Sequence, residues 1–148
     1  MRISAKGRYA LAAMIHLAAR YDNGENVTVI GISERLGTSK IYLEQIFSLL
    51  KRGGLLNSVK GAQGGYRLAR VPRQITAADI LSAVEISLFE ATKDTVSDNA
   101  PEIDAAIRAT VFDVLDKKIS DTLESITLES LVSASEEHAD DDKMMFYI

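Results

Sequence analysis

Residues 40–52, KIYLEQIFSLLKR, carry Lys40, Tyr42, Glu44, Gln45, Ser48, Lys51 and Arg52 around an apolar set, Leu43, Ile46, Phe47 and Leu50. The apolar set recurs at i, i+3, i+4 and i+7, which is one buried stripe of a helix, so the polar set takes the opposite face. A glutamine amide donates and accepts at once and can pair with an adenine edge. A glutamate carboxylate accepts from a cytosine amino group. Tyr42, near the helix start, can bond a phosphate or stack. Lys40 beside an open helix N-terminus favours phosphate, and Ser39 stands where an N-cap is needed. Lys51 and Arg52 read two ways, as partners of the negative end of the helix dipole or as direct DNA contacts.

A second group lies at 60–67, KGAQGGYR. Gly61, Gly64 and Gly65 let the backbone turn tightly and approach a groove without side-chain clash, and Lys60 and Arg67 flank the tip. Arg2, Lys6 and Arg8 add positive charge at the start of the chain. Other chemistries are excluded. With no cysteine there is no disulfide, thiolate zinc site, cysteine-ligated iron–sulfur cluster or cysteine nucleophile. No GxxxxGK[ST] accompanies the glycines, so they are not a P-loop. The two histidines are His16 and His138. His16 reads as a packed or edge histidine, not a ligand. No acid–base pair or nucleophile set points to an enzyme, and no metal or cofactor is expected.

The elements that must hold these residues follow from caps and periodicity. A first helix over residues 5–21, apolar on most sides, is deeply packed, and Asp22-Asn23-Gly24 turns the chain. A second helix covers 29–36, with Ile32 and Leu36 on one face, and Gly37 ends it as a C′ glycine. The third helix runs from Ser39 to Gly53-Gly54. Strands at 55–60 and 66–69 make a hairpin around the glycine tip, which Pro72 closes. Thr76 and Asp79 form a capping box for a short helix through Val84. Residues 87–100 are polar and loop-like. Asn99 and Glu102, with Pro101 in the first turn, open a long helix over about 101–123. Its stripe is Ile103, Ile107, Val111, Val114, Leu115, Ile119 and Leu123. A short final helix follows Thr127, and an acidic run, Asp140-Asp141-Asp142, precedes the tail Met144-Met145-Phe146-Tyr147-Ile148. The order is that of a mainly α winged helix-turn-helix with a small β-hairpin, followed by a long C-terminal helix.

The 148 residues suffice for one domain with an appended element. The net charge of −4 conceals a split. Residues 1–80 hold twelve Lys/Arg against five Asp/Glu, or +7; residues 81–148 hold five against sixteen, or −11. A basic half that meets an anion and an acidic half with another task is the expected division. The boundaries are 1–84 for DNA binding (helix-turn-helix about 28–52, wing about 55–70) and 85–148 for linker, long helix and tail. A 23-residue helix is about 34 Å long, more than a domain this small can cover, so its stripe is expected to pair with a second copy. The apolar run at 9–19 is a buried helix, not a targeting segment. No stretch is long enough to span a membrane, and a cytoplasmic location is expected.

The segments MRISAKGRYAL, ISERLGTSKIYLEQIF, LLKRGGLLNSVKGAQGGYRLA, ITAADILSAVE and ITLESLV resemble the Rrf2 family of bacterial winged-helix transcription regulators, along essentially the whole chain. The resemblance implies a homodimer whose long helices cross and whose two winged helices read a palindromic operator in double-stranded DNA, most often as a repressor. The family's base-reading positions fall on Tyr42, Glu44 and Gln45. Its wing arginine is replaced by Lys60, which cannot reproduce a bidentate fork, so wing specificity is weaker. Cluster-binding members carry three cysteines before the long helix; Asp94, Ala100 and Ala106 stand at about that spacing here. Two explanations stay open: a naturally cluster-free member, resembling the family's cysteine-metabolism repressor, or a cysteine-to-alanine form of a cluster-sensing regulator. The first implies a partner such as a cysteine-biosynthesis enzyme, and the FYI ending agrees with it. Two other readings are a protein-interaction module using the tail as a ligand, and a regulator with an apolar small-molecule pocket between winged helix and long helix.

Overall fold

The computed structural model describes residues 2–24, 26–61, 64–93 and 96–146. Helix α1 (Ala5–Ala19) begins where the Ser4 hydroxyl accepts from Gly7 N at 3.2 Å. Ser4 in turn donates through its backbone N to Glu85 Oε1 at 2.9 Å, and through its hydroxyl to the same oxygen. The first turn is therefore tied to a residue 81 positions away. The helix ends two residues earlier than its apolar content suggests, at Arg20, whose N–H already bonds back to Leu17.

Helix α2 (Val29–Leu36) is capped by Thr28, which accepts from Gly31 N at 3.1 Å, and stops at Gly37. Gly37 has φ +67, the left-handed conformation that side chains with a Cβ resist. Two residues later Ser39 caps α3 (Lys40–Arg52), accepting from Tyr42 N at 3.1 Å. This short turn sets the crossing of the two helices. Leu43, Ile46, Phe47 and Leu50 are all fully buried, as the spacing requires.

Strands β1 (Leu56–Ser58) and β2 (Tyr66–Leu68) pair antiparallel, with Leu56 opposite Leu68 and Ser58 opposite Tyr66. They are shorter than expected because the ladder gives way to single contacts, such as Val59 N to Gly65 O at 2.9 Å. Tyr66 also bridges Val27, which attaches the hairpin to the lead-in of α2. Ala62 and Gln63 of the glycine tip lie outside the described residues. A 3₁₀ turn (Pro72–Gln74) leads to α4 (Ala77–Val84), which opens on the expected capping box of Thr76 and Asp79.

A second 3₁₀ turn (Ile86–Phe89) interrupts the polar connection. Helix α5 (Pro101–Ile107) is not opened by Asn99 as expected: Ala100 is the cap and gives no side-chain bond. Proline at the first position removes one donor that a cap would otherwise have to satisfy. A π turn (Arg108–Phe112) joins α5 to α6 (Asp113–Ser125), so the long helix is continuous to Ser125 but bulged near its middle. At the bulge the Thr110 hydroxyl donates to the Ala106 carbonyl, a local competition with the backbone ladder.

The last helix, α7 (Leu128–Phe146), has 19 residues and is not short. Beyond Val132 no apolar period exists to signal it. Glu, Ala, Lys and Met are strong helix formers and extend it through solvent. Its base belongs to the core. Leu128 is fully buried, Leu128 N donates to Ile75 O and Ala77 N to Ile126 O, both at 2.8 Å. The core thus joins α1, α2, α3, α4, the hairpin and the start of α7, with no buried polar or charged residue among those described.

Candidate nucleic-acid interface

The fold places the starts of α2 and α3 against the hairpin. Between them lies an open cleft of about 830 Å³, walled by Thr28, Ile30, Lys40, Glu44, Ser58 and Gly65 among others. A shallow depression of about 450 Å³ on the outer face of α3 is lined by Ile41, Glu44, Gln45, Ser48 and Leu49. Glu44 borders both, so the polar face of α3 runs without a break into the wing. The structure brings Lys40, Glu44, Gln45, Gly64 and Gly65 to this one surface, with Ser39 capping the helix just before Lys40.

Lys40 Nζ stands 3.7 Å from Glu44 Oε1, both side chains about half exposed. Such a pair contributes little to stability, and either member can exchange its partner for a ligand group at small cost. Tyr42 is half-buried and meets Tyr9 edge-on, 5.8 Å between centroids at 89°. Lys51 Nζ donates to Ser58 Oγ at 2.7 Å, which ties the end of α3 to β1.

The wing is held close to α2. Gly65 has φ +131, and a Cβ there would come within 2.8 Å of the Val27 carbonyl oxygen, so only glycine lets the hairpin lie this near. Lys60 and Gly61 are exposed beyond β1. Arg67 faces the other side of the hairpin. Its Nε donates to Asn26 Oδ1 at 3.0 Å, and it borders a separate cavity of about 390 Å³ with Leu17 and Tyr21. Arg2 is exposed and Lys6 half-buried at the start of α1; neither lines the cleft.

His16 is half-buried. Burial first, then the charges of Arg20 and Arg35, hold its pKa below the ordinary value. Its Nδ1 lies 3.3 Å from Arg20 Nη1, and the same guanidinium bonds the His16 carbonyl at 3.1 Å. It is a packed histidine, as its sequence context suggests.

In the acidic half, α6 packs on α4, yet the apolar stripe stays open. Ile103, Val111, Val114 and Leu115 are 42–53% exposed, and Ile107, Ile119 and Leu123 only partly covered. Arg108 anchors the bulged segment to the preceding loop, with Nε to Asp104 Oδ2 and Nη2 to the Thr92 carbonyl, each 3.1 Å. The space between the Ile86–Phe89 turn and α6 holds only about 170 Å³, below the usual range of small-molecule pockets. Met144 and Met145 are exposed on α7, while Tyr147 and Ile148 of the FYI ending lie outside the described residues.

Sequence reasoning passed over Ile41, Asn26, Ser58 and Glu85. Only Ile41 left a signal: a β-branched apolar residue among the polar positions of the third helix. No helix among the described residues is long and apolar enough to cross a membrane.

The profile of the Rrf2 family, described as an iron-dependent transcriptional regulator, matches residues 3–134. The HTH-type transcriptional regulator IscR of Xenorhabdus nematophila is 40% identical over 136 residues, 92% of this chain and 82% of the relative. Among solved structures, CymR, the global cysteine regulator of B. subtilis, superposes with a TM-score of 0.75 at 35% identity, over 90% of this chain and 98% of that one. IscR of T. potens superposes with a TM-score of 0.73 at 37% identity, over 93% and 90%. The donor set here does not fit a cysteine-ligated iron centre. The chain has no cysteine, and the described residues include no group of three His, Asp or Glu placed to hold a metal. Asp94 lies outside the described residues, and Ala100 and Ala106 offer no donor atom on their side chains.

Proposed function

The chain belongs to the Rrf2 family of transcription regulators, and from that premise we propose that it is a homodimeric repressor that reads a palindromic operator without an iron–sulfur cluster. It is a DNA-binding protein and not an enzyme. The observation that carries the operator-reading is the single surface shared by Gln45, Glu44 and the wing. Residues 1–84 supply this unit. Helix α3 enters the major groove, where Gln45 pairs with adenine and Glu44 accepts from cytosine. Ser39, the start of α3 and Lys40 hold a phosphate. Tyr42, braced by Tyr9, offers its outer edge to the backbone. The wing, with Lys60, Gly61, Gly64 and Gly65, follows the adjacent minor groove. Arg2 and Lys6 at the start of α1, and Arg67 on the other side of the hairpin, lie outside the cleft and are assigned to phosphates beyond it.

Residues 85–148 pair the protomers through Ile103, Ile107, Val111, Val114, Leu115, Ile119 and Leu123, and receive the signal. The absence of cysteine supports an input other than a cluster. The resemblance to the cysteine-metabolism repressor favours a metabolic enzyme as the partner, in the cytoplasm, over a small metabolite. The exposed outer half of α7 is surface that such a partner could cover.

The test starts with duplexes selected by the protein from a randomised library. Gln45→Ala and Glu44→Ala each lose about 1–3 kcal/mol of discrimination between selected and scrambled DNA and keep the dimer. If both variants discriminate as the native chain does, α3 is not the reading element. Affinity of the native protein for the selected duplex falls with salt, log K against log salt sloping more steeply than about −4. A flat plot removes the basic half from the interface.

A further inference from the structure

Ile41 is the second residue of α3 and is 71% exposed, although every other apolar residue in the first turns of that helix is at least half-buried. Its position is not loose. Ser39 caps the helix immediately before it, and the Lys40–Glu44 pair spans it. The residues that share its depression are Glu44, Gln45, Ser48 and Leu49, so an aliphatic side chain stands among the groups assigned to base edges. The major groove has one apolar feature to offer such a group, the C5 methyl of thymine.

The spacing suits this. Ile41 precedes Gln45 by four residues, so both lie on one helix face, about 6 Å apart along the axis. Successive base pairs are about 3.4 Å apart. With Gln45 on an adenine, Ile41 meets a base one or two pairs away. We propose that Ile41 is a specificity-determining residue that selects thymine in the operator by covering its C5 methyl. The proposal rests on the reading of α3 as the major-groove helix. The partly covered Leu49 lines the same depression a further two turns along, too far from the first turn to take the same methyl.

The experiment uses the full chain and the duplex it selects from a randomised library. Each thymine is replaced in turn by deoxyuridine, which removes the methyl and nothing else. The native protein loses about fourfold in affinity at one thymine of each half-site, one or two pairs from the adenine whose replacement Gln45→Ala tolerates. Ile41→Ser binds the thymine and uracil duplexes alike, whereas Ile41→Val retains the difference. Both variants keep the native melting temperature, since the side chain is exposed. If no uracil replacement lowers affinity, or Ile41→Ser shows the native loss at that position, the proposal is overturned while DNA reading by α3 stands. If no duplex is enriched at all, the proposal fails together with the reading it rests on.

Discussion

Val111→Glu combined with Leu115→Glu is expected to convert the proposed dimer to a monomer and to lower operator affinity by at least about 100-fold, because linked half-sites bind as one unit only while the protomers stay joined. The two positions are four residues apart, and their side chains are 44% and 52% exposed within one chain. In an isologous pair each new carboxylate enters the interface twice, through both copies. Burying unpaired carboxylates costs several kcal/mol each, more than the aliphatic contacts they replace contribute. The monomer itself is not harmed, since these residues make no part of its core. Sedimentation equilibrium reads the mass, a gel shift on the selected duplex reads affinity, and circular dichroism reads the fold. A variant that keeps native helicity and still sediments as a dimer shows that another surface joins the protomers.

Phe47→Ala lowers stability by about 3–5 kcal/mol and the melting temperature by about 10–15 °C. That is a large share of the roughly 5–15 kcal/mol by which domains of this size are stable. Phe47 is fully buried on α3, and its ring lies 4.9 Å from that of Tyr66 on β2. One side chain therefore positions both halves of the candidate surface, helix and wing. Its loss leaves a cavity in a core where Met14 and Ile80 are also fully buried. Phe47→Leu, which keeps most of the volume, costs less than half as much. Thermal unfolding at one fixed protomer concentration gives the comparison, since self-association of the kind proposed shifts the transition by mass action. A drop under about 3 °C for Phe47→Ala shows that the ring is not the keystone of this packing.

Much of the fold was legible because its instructions are local. Gly37 and Ser39 end one helix and begin the next within three residues. Thr76 and Asp79 satisfy each other's neighbouring backbone donors. The stripe of Leu43, Ile46, Phe47 and Leu50 needs only a 3.6-residue period to be recognised, and all four are buried. The outer half of α7 was not legible, because it buries nothing and leaves no period to read. Asn99 misled because Pro101, the first residue of the helix, already removes a donor, so Ala100 suffices as the cap. The π turn has no one-dimensional signature, since Thr110 and Arg108 act there through bonds to Ala106, Asp104 and Thr92.

The candidate surface divides in the same way. The sequence alone determined that a polar helical face, a glycine-tipped hairpin and a basic N-terminal half occur together, because side-chain type, period and charge are properties of neighbouring residues. Tertiary structure decided which of those side chains share a surface. It turned Lys51 to Ser58 and Arg67 to Asn26, stood Tyr42 against Tyr9, and left Ile41 in the open beside Gln45. It also carried Glu85 to the start of α1 and Leu128 into the core. The reason is distance along the chain: a cap or a stripe is settled within a few residues by the geometry of one helix. Contacts between segments tens of residues apart depend on how whole elements pack, and no window of sequence contains that packing.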